Sequence, residues 1–254
     1  MESILRTENL CKYFGGLKAV QDVSINVSKG IIQGIIGPNG AGKTTLFNVL
    51  TGTYNSTKGK VYFKDRNITN FKPEKVTKLG ISRTFQNIKL FKNMSVLDNV
   101  KIGFHTQTKT KMLDAIFHTK TYKNDDRICE ERGQELIERV GLSDLKEEFA
   151  SNLAYGNQRK LEIARALAVN PDILLVDEPT AGMNHIETRN VVELLEKLNS
   201  EGLTVIIIEH DMSVIMNLCH SILVLNHGQK ISEGSPEQVR RDENVIEAYL
   251  GREE

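Results

Sequence analysis

Two short stretches alternate apolar and polar residues. Val23, Ile25 and Val27 alternate with Ser24, Asn26 and Ser28, the period-two pattern of a half-buried strand. Lys60-Val61-Tyr62-Phe63-Lys64 repeats it after Gly59, so the first part of the chain predicts antiparallel strands. Between them, Ile31–Ile36 is apolar on both faces, as a central strand requires. It runs into a Gly-rich turn and then a helix over Thr44–Leu50, with Leu46, Val49 and Leu50 on one face. Leu136, Ile137 and Val140 predict a short amphipathic helix ended by Gly141. Leu161, Ala164, Leu167 and Ala168 predict another, stopped before Pro171. Thr106–Asp126, rich in Lys and Thr around Ala115-Ile116-Phe117, predicts an exposed, helix-containing insertion.

Parallel α/β character follows. Asp172–Asp177 is a buried strand, Val191, Leu194, Leu195 and Leu198 lie on a helix closed by Gly202, and Leu203–Ile208 is the next strand. Such a unit implies a parallel sheet with a right-handed crossover. Ser221–Leu225 and Lys230–Ser232 flank Asn226-His227-Gly228 as a hairpin. Ser235-Pro236 then caps one final helix carrying Val239, Val245, Ile246 and Tyr249.

Composition narrows the class. The chain has 254 residues, ample for one large domain, with 33 basic and 33 acidic side chains. Zero net charge gives no sign of a polyanionic partner, so no nucleic acid is expected. The strongest apolar runs, Ile173–Val176 and Val205–Ile208, fall far short of the roughly 20 residues of a membrane-spanning helix. The first ten residues lack a secretory signal, and three scattered cysteines, Cys11, Cys129 and Cys219, suggest reduced thiols. A cytosolic protein is expected.

Gly37-Pro38-Asn39-Gly40-Ala41-Gly42-Lys43-Thr44 fits G-x-x-x-x-G-K-[ST] between a strand and a helix. Its backbone N–H groups would converge on phosphate oxygens, aided by the positive end of the helix. Lys43 would reach the β- and γ-phosphates and the Thr44 hydroxyl would ligate Mg²⁺; Thr45 is a neighbouring alternative one place beyond the motif. Ile173–Val176 delivers Asp177 and Glu178 to the carboxyl end of a strand, where open α/β sheets bind ligands. The aspartate can hold Mg²⁺ through water. The glutamate can take a proton from an attacking water, which favours hydrolysis over transfer.

Three further segments complete the pattern: Thr84-Phe85-Gln86, Leu153-Ala154-Tyr155-Gly156-Asn157-Gln158-Arg159, and Glu209-His210-Asp211. Their order and spacing resemble the ATP-binding cassette (ABC) ATPases, from about Leu10 to the C-terminus. The resemblance implies a single domain over residues 1–254: an α/β P-loop NTPase core with a mostly parallel sheet and an N-terminal antiparallel β subdomain (1–90 and 165–254), and a helical signature subdomain (about 91–164, with the insertion 106–126). It implies that Phe14 stacks on adenine, with Tyr13 as a rival. Asn39, Gly40, Ala41 and Gly42 would hold phosphates with Lys43. Gln86 would approach Mg²⁺ and the attacking water, and His210 the γ-phosphate; the other histidines are read as surface or turn residues.

Leu153, Ala154, Tyr155, Gly156 and Asn157 resemble the LSGGQ signature, which in the family binds, in trans, the ATP held by the other ATPase of a head-to-tail pair. Here Ala154 replaces Ser, which removes one phosphate donor, and Asn184 stands where an aspartate is usual. The LAYG variant, the Ser82–Gln86 run, the Leu90–Val96 run, the insertion and the ending Val245–Gly251 resemble the larger ATPase subunit of branched-chain amino acid importers. That implies ATP and Mg²⁺, a second ATPase subunit (identical or paralogous), integral membrane permease subunits docking at Asn87–Asn99, and indirectly a substrate-binding protein. The site of action would be the inner face of the cell membrane. Urea, lipid or lipopolysaccharide as cargo, a soluble ABC ATPase, and a P-loop kinase are the alternatives. A kinase would lack the signature loop and the strand-end histidine.

Overall fold

The computed structural model describes residues 2–84, 86, 88–105, 114, 117 and 119–250. β1 (Ser3–Phe14) pairs antiparallel with β2 (Leu17–Val23) through its second half and with β3 (Asn26–Ser28) through its first. The continuous strand predicted through Val23–Ser28 is therefore two. Thr7 makes the break: its hydroxyl donates to the Val23 carbonyl at 2.8 Å and accepts from the Ile25 N–H at 3.1 Å. Val23, Ile25 and Val27 all remain buried, so the alternation survives the interruption.

β4 (Ile32–Ile36) is wholly buried, as its two-sided apolar pattern predicts, and leads into α1 (Lys43–Leu50). β5 (Lys58–Phe63) and β6 (Arg66–Asn67) return to the antiparallel sheet beside β1, and α2 (Pro73–Leu79) and β7 (Ile81–Arg83) follow. α3 (Val96–Gly103), α4 (Lys120–Arg139) and α5 (Tyr155–Leu167) pack together. The short helix predicted near Leu136 is the end of a 20-residue one. Only Cys129, Gly133 and Ile137 are buried along it, one contact per turn, too sparse for hydrophobic spacing to reveal its length. Of the predicted insertion, residues 120–126 form its first turns; 106–113, 115, 116 and 118 lie outside the described residues.

The remainder is β8 (Ile173–Asp177), α6 (His185–Ser200), β9 (Thr204–Ile208), α7 (Met212–Leu218), β10 (Ser221–Asn226), β11 (Gln229–Gly234), α8 (Pro236–Arg240) and α9 (Glu243–Leu250). The predicted strand–helix–strand unit is present, with β8 and β9 as parallel neighbours. The single terminal helix predicted after Ser235 is two. Arg241 ends the first, and the Asp242 carboxylate accepts the Asn244 N–H at 3.0 Å to start the second.

The second sheet runs β11-β10-β4-β9-β8-β7, parallel except for the edge strand β11. Alternate residues of its strands feed two cores. Ile32, Ile36, Leu174, Val176, Val205 and Ile207 face the helices α3–α7. Ile35, Ile173, Leu175, Ile206 and Ile208 face α1 and the antiparallel sheet. The carboxyl ends of β4 and β8 thus emerge between two anchored layers.

Candidate functional site: a phosphate-binding cleft

The loop after β4 is built around two glycines that no other residue could replace. Gly37 (φ 149°) and Gly42 (φ 99°) lie in the left-handed half of conformational space. A Cβ on Gly37 would sit 2.1 Å from the Leu225 carbonyl oxygen, and one on Gly42 2.2 Å from that of Ala19. The β10–β11 turn backs the loop, with the Gly228 N–H donating to the Ala41 carbonyl at 3.0 Å. α1 starts at Gly42 without a side-chain cap and without an acidic residue in its first turn, so its positive end is left for an anion. The Lys43 ammonium donates to the loop's own Gly37 and Pro38 carbonyls at 2.7 and 3.1 Å. Burial lowers its pKa, and the charges of Glu178 and Asp177 oppose that.

A cleft of about 540 Å³ opens over this loop. Asn39, Gly40, Ala41, Gly42, Lys43, Thr44 and Thr45 form one wall, and Gln86 and Glu178 face them. Gln86 Nε2 donates to Glu178 Oε2 at 3.0 Å. Glu178 has a left-handed backbone (φ 46°), uncommon for a residue with a side chain, and its N–H is held by the Ile208 carbonyl at 2.8 Å. Asp177, one residue earlier, is buried. Arg83 Nη2 pairs with its Oδ2 at 2.7 Å, while Arg83 Nη1 donates to Asn48 of α1 at 2.6 Å. Burial pushes the Asp177 pKa up, and the Arg83 hydrogen bond and charge pull against it.

Other predicted residues lie outside the cleft lining. His210 is 62% exposed, and its backbone N–H donates to the buried Glu209 carboxylate at 2.9 Å. Phe14, half exposed at the end of β1, meets Tyr54 edge-on at 5.4 Å, with the Lys12 ammonium 4.7 Å from its centroid. Tyr13, its rival, lines a separate depression with Cys11 and Asp22. Leu153 to Asn157 surround the start of α5, and none of them lines the chain's own cleft. Ala154 is the N-cap and supplies no side-chain acceptor. Glu187 of α6 takes that place, accepting the Gly156 N–H at 3.3 Å. Asn184 caps α6 in a full capping box with the same Glu187, a task that needs an oxygen rather than a charge.

Sequence reasoning passed over Arg83, Arg159, Glu187, Glu209 and His227. His227 lines the cleft from the β10–β11 turn. Asn184-x-x-Glu187 is a readable capping box; the others carry no local signature.

Residues 20–181 match the ABC transporter family model, and residues 229–254 match that of the branched-chain amino acid ATP-binding cassette transporters. The high-affinity branched-chain amino acid transport ATP-binding protein LivG of Escherichia coli is 40% identical, over 98% of both chains. BraF of Pseudomonas aeruginosa, described in the same words, is 41% identical over 98% of both. Among solved structures, a nucleotide-free ATP-binding cassette from an ABC transporter superposes with a TM-score of 0.86 at 36% identity, covering 99% of this chain and 100% of that one. The ADP conformation of MJ1267, an ATP-binding cassette of an ABC transporter, matches with the same TM-score, identity and coverage. A glycine loop closed against two carbonyls, an open helix end and a strand-end carboxylate pair occur here in the fold of those cassettes, and the chain belongs to the ABC transporter family as an ATP-binding, ATP-hydrolysing subunit.

Proposed function

We propose that the chain powers uptake of branched-chain amino acids, working at the cytoplasmic face of the membrane with separate permease subunits and a second ATPase. The substrate is carried over from the relatives named above, 40–41% identical over nearly the full chain, and from the match of residues 229–254. The head-to-tail arrangement is supported by where the signature-like turn lies: outside the chain's own cleft, as a segment serving a partner's nucleotide would be. A dimeric cassette, MJ0796 bound to ADP and Pi, is a structural relative at 26% identity and a TM-score of 0.77, covering 92% of this chain and 99% of that one.

The observation that carries the hydrolytic reading is the 3.0 Å bond between Gln86 and Glu178, facing the phosphate loop across one cleft. In this reading the loop N–H groups and Lys43 bind the phosphates, and Phe14 stacks on the base with Tyr54 bracing its ring. Gln86 orients the attacking water, the Glu178 carboxylate takes its proton, and His210 contacts the γ-phosphate. A magnesium ion fits the residues present. The Asp177 Oδ1 atom is buried with no hydrogen-bond partner among the described residues, and Thr44 lines the cleft. No cluster of three His, Cys, Asp or Glu side chains is available among the described residues, which suits an ion held largely by water and phosphate oxygens. Thr44 and Asp177 would hold it, with Gln86 close by, and the ion would neutralise developing phosphate charge.

Glu178→Gln is expected to bind ATP normally and to hydrolyse it at least ~100-fold more slowly. Near-normal turnover in that variant would remove Glu178 from the role of base.

A further inference from the structure

Arg159 is the fifth residue of α5, the helix whose first turn carries the signature-like residues. Its side chain is fully buried and lines no part of the cleft. Nη1 donates to Glu162 Oε2 at 2.7 Å, and Glu162 is itself buried. Nη2 donates to the backbone carbonyls of Gln86 at 3.2 Å and of Glu178 at 3.4 Å. These are the two residues whose side chains bond to each other in the cleft. Glu178 is thus gripped on both sides of its left-handed backbone, at its N–H by Ile208 and at its carbonyl by Arg159.

A buried ion pair is a poor way to gain stability, because apolar residues of similar volume usually serve as well or better. What a guanidinium adds is a rigid planar fork that holds acceptors at a set spacing, which a flexible ammonium does not. We propose that Arg159 is a positioning residue for ATP hydrolysis: it fixes the spacing of the Gln86 and Glu178 backbones and locks that spacing to the orientation of α5. A shift of the signature turn at one end of α5 is then felt by the hydrolytic pair of the same chain, without any contact between Arg159 and the nucleotide. This rests on the reading of Gln86 and Glu178 as the hydrolytic pair.

The test replaces the ion pair with apolar residues, Arg159→Met with Glu162→Leu, in the full chain assembled with its membrane subunits. Calorimetric ATP affinity, kcat and KM are measured beside the single variants Arg159→Lys and Glu162→Gln. The double variant is expected to fold and to bind ATP within about twofold of the parent, while kcat falls roughly 10- to 100-fold. Arg159→Lys should recover only part of the loss. A folded double variant with parental kcat, or one in which affinity and kcat fall together, overturns the proposal. Should the double variant not fold, Glu162→Gln decides: lower kcat at unchanged KM supports it, and unchanged kcat overturns it. Glu178→Gln run in parallel separates the two readings. Normal turnover there removes the hydrolytic pair itself; lost turnover there with normal turnover in the Arg159 variants removes only Arg159.

Discussion

Asp177 shows how much one side chain depends on another that no motif names. Four apolar residues carry it to the end of β8, and burial alone would favour its neutral acid. Arg83, at the end of the neighbouring strand β7, supplies the opposing charge and reaches Asn48 on α1 with its other nitrogen. The pair therefore ties the acidic strand end to the helix that follows the phosphate loop. Arg83→Met would leave a buried carboxylate unpaired, a cost of about 3–5 kcal/mol. At ~2–4 °C per kcal/mol for a chain of this size, the melting temperature should fall by roughly 10 °C by scanning calorimetry. A shift under about 2 °C would show that Asp177 finds its compensation elsewhere. The glycines, Lys43 and Glu178 were legible because chemistry demands those residues at those spacings. Arg83 and Glu209 were not, because Asp177 at the end of β8 and Thr180 in the turn after it are distant in sequence, and only the sheet order brings them together.

At the scale of elements, the departure from the usual signature has a structural counterpart. A serine at an N-cap normally accepts an N–H from the first turn; Ala154 cannot, and the Glu187 carboxylate reaches across from α6 to accept the Gly156 N–H instead. The other Glu187 oxygen accepts the Asn184 N–H at 3.2 Å, so one carboxylate caps two helices. Glu187→Ala should lower stability by about 1–2 kcal/mol, read as the urea midpoint at constant slope, and Glu187→Gln should restore most of it. Equal losses in the two variants would mean that charge, rather than hydrogen bonding, is what α5 needs. Elements themselves were legible wherever burial is continuous or strictly alternating, as in β4, β8 and β9. Their lengths and breaks were less so. α4 buries too little to advertise its 20 residues, and the break before α9 rests on a single aspartate cap.

For the whole molecule, the two-faced sheet divides labour: one layer carries the phosphate loop, and the other carries the helices α3–α5, of which α5 holds the Gln86 and Glu178 carbonyls through Arg159. Among the described residues no helix is long and apolar enough to cross a bilayer. We propose that the separate permease subunits seat in a groove of about 490 Å³ where the sheet-edge strand β7 meets α3 and α5. Lys89, Phe91, Ile102, Arg165 and Val169 line it, and Phe91 is 49% exposed, an apolar ring left facing solvent beside a cationic rim. The groove overlaps the docking stretch expected from sequence, residues 87–99, of which Asn87 lies outside the described residues. An apolar ring in a shallow groove is the kind of anchor that a partner helix can bury. A charge placed there would oppose docking without touching the phosphate loop. Phe91→Asp and Lys89→Glu, assembled with the membrane subunits, should therefore abolish uptake of radiolabelled leucine while basal ATP hydrolysis stays within about twofold of the parent. Uptake that survives both changes would move the docking surface elsewhere. Loss of hydrolysis in step with uptake would instead mean that the groove is coupled to Gln86 even when no membrane subunit occupies it, since Glu162 of the groove pairs with Arg159, which bonds to the Gln86 carbonyl.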